Sequence, residues 1–158
     1  MFAGDIIDKH FLLTMGDMGI RKELYKRIVM AGGIVPTLIH PTAEISEFAQ
    51  ISPNGVLIDS QTIVQSDCII KEGVFICSQS MICHQTTIEP YVFIAPKAIV
   101  GARLKVKQFA FIGQIATIIS TKVKEIGERS VVGAGSVVTK QVADDSVVIG
   151  NLAKPLYN

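Results

Sequence analysis

Of the side chains in this sequence that could move a proton near neutral pH, the histidines come first: His10, His40 and His84. An unperturbed imidazole titrates near pH 6.5, so it can take a proton from an attacking hydroxyl or amine and later return it. His84 follows Ile82 by two residues in ICHQTTI, which puts it at or near a corner of the chain with its side chain outward, free to meet a ligand. His40 beside Pro41 reads as a turn residue, and His10 as part of a polar leader. A zinc site needs converging ligands, with imidazole nitrogens at about 2.0–2.1 Å. Only His84 lies in the repetitive part of the chain, so no metal is expected. Cys68, Cys77 and Cys83 are odd in number and form no CxxC pair, which suggests reduced thiols that pack or lie exposed. No Ser or Cys stands in an evident Ser-His-Asp or Cys-His arrangement, so a covalent intermediate is not expected.

The elements that must position His84 are legible as a repeat. From Ile70 an aliphatic residue recurs at every sixth position, through Ile76, Ile82, Ile88, Ile94, Val100, Val106 and Ile112 to Ile118. An earlier series, Ile45, Ile51, Leu57, Ile63 and Ile69, keeps the period one residue out of phase, which places a register step at Ile69-Ile70. After Ile118 a two-residue insertion in STKVKEIG precedes Ile126, Val132 and Val138. Small residues such as Ser80, Thr86, Ala98, Ala110, Ala116, Ser130 and Ser136 stand two before many of the aliphatics. Each hexad therefore predicts a short strand plus a corner, and three hexads one triangular coil, with Ile76, Ile94 and Ile112 stacked as a ladder. No hexad buries its own aliphatic, so the coils must stack. A helical period of 3.6 and a sandwich's period of 2 are both absent over this stretch. The fold class expected is mainly β, a parallel β-helix over residues 41–158.

Residues 1–40 differ in kind. Phe11–Met15 predicts a strand, Gly16-Asp17 a turn, and Ile20–Ala31 an amphipathic helix. Its apolar face would be Ile20, Leu24 and Ile28, with Arg21, Lys22, Lys26 and Arg27 outward, and Gly32-Gly33 would end it. The tail from Asp144 leaves the repeat. The charge balance, 15 basic against 14 acidic residues, leaves no electrostatic footprint for nucleic acid. No apolar run approaches the roughly 18 residues of a membrane span, and the acids near the N-terminus do not suit a signal peptide. A cytoplasmic protein is the expectation.

The His-bearing hexads, with VVGAGSVVTK and IGNLAKP, resemble the left-handed β-helix acyltransferases. More narrowly, GDMGIRKELYKRI, LIHPTAEI, ICHQTTI, VGAGSVV and GNLAKP resemble the sialic acid O-acetyltransferase and UDP-N-acetylbacillosamine N-acetyltransferase family. The resemblance spans nearly the whole chain and implies a left-handed coil. It also implies a homotrimer with acetyl-CoA as co-substrate, and a sugar or sugar-nucleotide acceptor. Residues 1–40 correspond to the last strand and helix of the family's N-terminal Rossmann-like domain, a remnant of it. Two positions depart from the family pattern: Gln85 stands where an acid usually follows the catalytic histidine, and Leu152 where the terminal motif has Pro.

By the same resemblance, His84 is the general base and Gln114 and Ala134 fall at cofactor contacts. Gly113, Gly133 and Gly135 offer close backbone approach to a slim pantetheine arm. Lys140 and Lys154 are candidates for the nucleotide phosphates. Phe93 replaces a second histidine that touches the cofactor in a relative. The alternative is a non-catalytic trimeric β-helix, an inactive relative, and Gln85 favours it.

Overall fold

The computed structural model describes residues 6–156. Each hexad forms a two-residue strand and a turn, and strands 18 residues apart pair in parallel, as Ile76 with Ile94 and Ile94 with Ile112. The result is a three-faced β-helix. A first face of eight strands runs from Leu38–Ile39 through Phe75–Ile76 and Phe93–Ile94 to Val147–Ile149, with Lys154–Pro155 added antiparallel. A second face of six strands runs from Glu44–Ile45 through Met81–Ile82 and Ile99–Val100 to Val137–Val138. The third, of five strands, runs from Gln50–Ile51 through Thr87–Ile88 and Lys105–Val106 to Glu125–Ile126. In each central strand the second residue points inward and is buried, giving the ladders Ile76–Ile94–Ile112, Ile82–Val100–Ile118 and Ile88–Val106–Ile126. The small residues fill the same interior at the corners: Ser80, Thr86, Ala98, Ala110 and Ala116 are all buried.

From Gln61 to Gly135 each corner turns through a residue with left-handed backbone, and most of these are not glycine: Gln61, Gln79 and Lys97 on one edge, Asp67, Gln85 and Arg103 on another. Such a conformation costs on the order of 1 kcal/mol or more per residue. Stacking between coils offsets it. Gln79 Nε2 donates to Gln61 Oε1 at 2.8 Å, and the rings of Tyr91 and Phe109 lie 5.6 Å apart and nearly parallel.

Four expectations need correction. The register step lies at Asn54-Gly55, not at Ile69-Ile70. Ile51 pairs with Ile70 and Leu38 with Leu57, a spacing of 19, and thereafter Leu57 pairs with Phe75 at 18. The inward residues are therefore Ile58, Val64 and Ile70, while Ile69 is exposed. The extra residue is absorbed at Gly55, whose φ of +65° lets the chain bulge beneath Tyr25. The tail does not leave the solenoid at Asp144: Val131 pairs with Val147 and Val132 with Val148, so the coil continues to Ile149 on a shortened spacing of 16. Phe11–Met15 forms no strand; His10 makes an isolated bridge to Ile34.

The fourth correction concerns the helix, α1 (Met18–Met30), capped by Asp17, whose carboxylate accepts from the Ile20 N–H at 2.9 Å. Its buried residues are Met18, Arg21 and Ile28, and Ile20 is 55% exposed. The face is rotated because α1 docks on an aromatic corner, not on an aliphatic one. Arg21 donates to the carbonyl of Leu13 and, at 2.8 Å, to that of Gly55, and its guanidinium lies 5.3 Å from the Phe75 ring centre. Burial pushes its pKa down to about 10, so it stays charged at neutral pH. Arg21 thus ties the N-terminal segment to the bulge that shifts the register. Arg21→Met should weaken this docking by about 2 kcal/mol, because two buried carbonyls lose their donor. Faster hydrogen exchange in α1 with an unchanged solenoid would show it; uniform destabilisation would refute the local role. Among the described residues, no helix is long and apolar enough to cross a membrane.

Candidate active site

His84 lies in a turn between the second and third faces, half-buried. The corner is held from both sides along the solenoid. The His84 N–H donates to Gln65 Oε1 at 3.0 Å, and its carbonyl accepts from the Arg103 N–H at 3.1 Å. The imidazole Nδ1 is 3.4 Å from Gln85 Oε1, and the same oxygen accepts from Arg103 Nε at 2.9 Å. With a proton on Nδ1 facing Gln85, Nε2 is left as an acceptor turned toward any ligand at the corner. Gln85 can fix the tautomer but brings no negative charge, and Arg103 draws on the same oxygen.

Gln114 and Ala134 lie at a different edge, between the first and second faces, and both are exposed. Gly135 is next in that edge and Ile115, a β-branched residue, is left-handed at φ 60° and 63% exposed. Gly113 and Gly133 have a packing role that holds whatever ligand lies there. A Cβ on Gly113 would stand 2.6 Å from the Ala134 nitrogen of the next coil, and one on Gly133 would stand 2.7 Å from the Ile149 side chain. The Gly113 N–H is already spent on the Val132 carbonyl at 2.8 Å. Lys154 is exposed in the terminal strand, opposite Ile149 and beyond Gly133. Lys140 is also exposed, at the far end of the solenoid.

Within one chain, then, His84 and the Gln114–Ala134 edge do not meet. The whole second face separates them. The outward residues of that face are Ile63, Met81, Ile99, Thr117 and Val137, a largely apolar row. Phe93, by contrast, points out from the first face, stacked 5.2 Å from Phe111 and packed near Gly16. His40 is a turn residue, with Nδ1 2.9 Å from Thr42 Oγ1. Among the described residues no group of three His, Cys, Asp or Glu side chains could hold a metal ion. The cysteines are all free, and burial pushes the Cys77 thiol up to about 11, so it stays protonated at neutral pH.

Sequence reading missed a shallow basic cleft, open to solvent over most of its surface, of about 530 Å³ next to the His84 corner, lined by Gln85, Thr87, Arg103, Leu104, Lys105 and Lys124. The signal was present as spacing: Gln85 and Arg103 are 18 residues apart and so stack, as do Thr87 and Lys105 in register.

The class is now defined: a left-handed parallel β-helix of about six turns, carrying a corner histidine. No protein-family model and no curated protein matches the chain. Solved structures do. Perosamine N-acetyltransferase of Caulobacter crescentus, a variant in complex with CoA and GDP-perosamine, is 24% identical over 95% of this chain and 70% of that one, with TM-score 0.90. The acetyltransferase domain of PglB from Neisseria gonorrhoeae, with acetyl coenzyme A, is 27% identical over 92% and 69%, with TM-score 0.86. PerB from C. crescentus with CoA and GDP-perosamine is 25% identical over 93% and 70%, with TM-score 0.78.

Proposed function

We propose that this chain is an acyltransferase that moves an acetyl group from acetyl-CoA to a hydroxyl or amino group of a sugar or sugar nucleotide. The observation that carries the reading is the fold shared with the PglB domain, which holds acetyl coenzyme A. His84 would take the proton from the acceptor as its oxygen or nitrogen attacks the thioester carbon. A backbone N–H would stabilise the tetrahedral oxyanion. The carbon–sulfur bond then breaks, and the imidazolium returns the proton to the departing CoA thiolate.

The site would be shared between copies. Three chains packed by their second faces around a threefold axis bury the Ile63–Met81–Ile99 row. Each His84 corner then meets the Gln114–Ala134 edge of the next copy, and a heterologous contact of this kind closes a ring. Gln114, Ala134 and the glycine backbone would line the pantetheine arm, and Lys154 would reach the phosphates.

The test is calorimetry with acetyl-CoA, followed by a screen of amino and hydroxy sugars with thiol release as readout. Binding in the micromolar range, about −8 kcal/mol at 1 μM, with thiol release on one acceptor class, is the expected result. If acetyl-CoA does not bind, the non-catalytic assembly becomes the better reading, and Gln85 in place of an acid is the observation that already favours it.

A further inference from the structure

One side of the shallow basic cleft next to His84 is Lys124, at the end of an insertion where the coil takes two extra residues: Lys105 pairs with Glu125, 20 residues on, whereas it pairs with Thr87 at the regular 18. The extra length sets Lys124 against the cleft, with its carbonyl accepting from the Lys105 N–H at 2.9 Å. Three cations, Arg103, Lys105 and Lys124, line the space, and no acid does. The nearest acid, Glu125, is the register partner of Lys105 but makes its ion pair with Lys107, at 3.4 Å, which also reaches Asp144. Lys107 is thus neutralised twice, whereas the cleft cations have no ion pair among the described residues. Like charges held together without a counter-charge repel one another, and an anion seated among them relieves that repulsion. Thr87 and the Gln85 amide add uncharged hydrogen-bonding groups to the lining.

We propose that this cleft receives an anionic group, a phosphate or carboxylate, carried by the acceptor, so that the substrate is an acidic or phosphorylated sugar. The inference rests on the acyltransferase reading for the word acceptor, and on the cleft alone for the anion. Position supports the link. Gln85 belongs to the cleft and to the hydrogen-bond chain of His84 at once, so an anion in the cleft holds its own carbon skeleton at the base. The third face is the one left outward when the second face packs against copies, so the cleft stays open to a substrate. Arg103 is also placed to act as a positioning residue, since an anion that draws its guanidinium away from Gln85 leaves that oxygen to the imidazole.

The experiment titrates inorganic phosphate and glucosamine 6-phosphate, with glucosamine as the control that lacks the phosphate, into the full chain. The proteins compared are the wild type, His84→Ala and the double variant Lys105→Gln/Lys124→Gln, whose exposed side chains are not needed for folding. Expected are phosphate-ester binding to wild type and His84→Ala alike, and loss of about tenfold or more in affinity in the double variant. Glucosamine should bind far more weakly, and acetyl-CoA affinity should be equal in all three. Unchanged phosphate binding in the double variant overturns the proposal. So does a double variant that loses affinity for acetyl-CoA instead, because the cleft then serves the phosphates of CoA. Failure of acetyl-CoA to bind even the wild type overturns the acyltransferase reading, while the phosphate titration still decides whether the cleft holds an anion.

Discussion

His84→Ala should lower kcat by about 10²–10⁴-fold, the range that general base catalysis supplies, while acetyl-CoA affinity stays nearly unchanged. The two effects separate because, in the proposed site, the imidazole would act on the acceptor's proton while the Gln114–Ala134 edge would hold the cofactor. In the wild type, activity should fall on acidification, since only the neutral imidazole can accept a proton, and the variant should lose this dependence. Structural damage is a poor alternative explanation. The corner is held by backbone bonds from His84 to Gln65 and Arg103, which alanine keeps. Gln85 offers a second, finer reading: Gln85→Glu puts a carboxylate in place of the amide whose oxygen lies 3.4 Å from Nδ1, where it can stabilise the imidazolium. That variant should shift the pH profile toward higher pH, because a stabilised imidazolium keeps its proton longer. An alanine variant with wild-type turnover removes His84 from the mechanism.

Ile99→Asp should dissociate the assembly and abolish most of the activity. Ile99 sits mid-row on the second face, 40% exposed in the lone chain, with its side chain outside the coil. An aspartate there would leave the coil interior untouched and, at the proposed threefold contact, would set like charges against one another. Sedimentation should show a trimer for the wild type and a monomer for the variant. Turnover should drop on the order of 10²-fold or more, since misplacing reacting groups by about an ångström already costs that much. A composite site makes a further demand. His84→Ala chains mixed with chains occluded by Gly135→Trp should regain a fraction of the activity, because some interfaces then pair an intact corner with an intact edge. Gly135 suits the purpose, since nothing lies within 4 Å of a side chain added there, and its left-handed backbone, at φ +67°, is one that Ile115 already adopts on the same edge. A fully active monomer, or a wild type that sediments as one, would sink the shared-site model.

Both expectations trace to features that differ in how far the sequence reveals them. The hexad period is a local property, and it was sufficient for the ladders and for placing His84 at an outward corner. The register step was not, because Leu57 and Ile58 are both aliphatic and either continues the pattern; the bulge at Gly55 decides between them through its contact with Tyr25. Arg21 looked like a solvated charge for the same reason. Its burial depends on carbonyls at Leu13 and Gly55, and the second is 34 residues away.

The sequence by itself determined the coil, its three-hexad repeat and the exposure of His84, since each hexad repeats one local conformation and needs only its neighbour to be buried. Its resemblance to known acyltransferases also pointed to Gln114 and Ala134. Only the tertiary structure decided that these residues and His84 stand on opposite edges of one apolar face, and that the insertion after Ile118 sets Lys124 beside Arg103 and Lys105 near the His84 corner. Both depend on which residues stack one coil apart and on how far an extra residue swings the chain. These are sums over distant contacts, and no short stretch of sequence contains them.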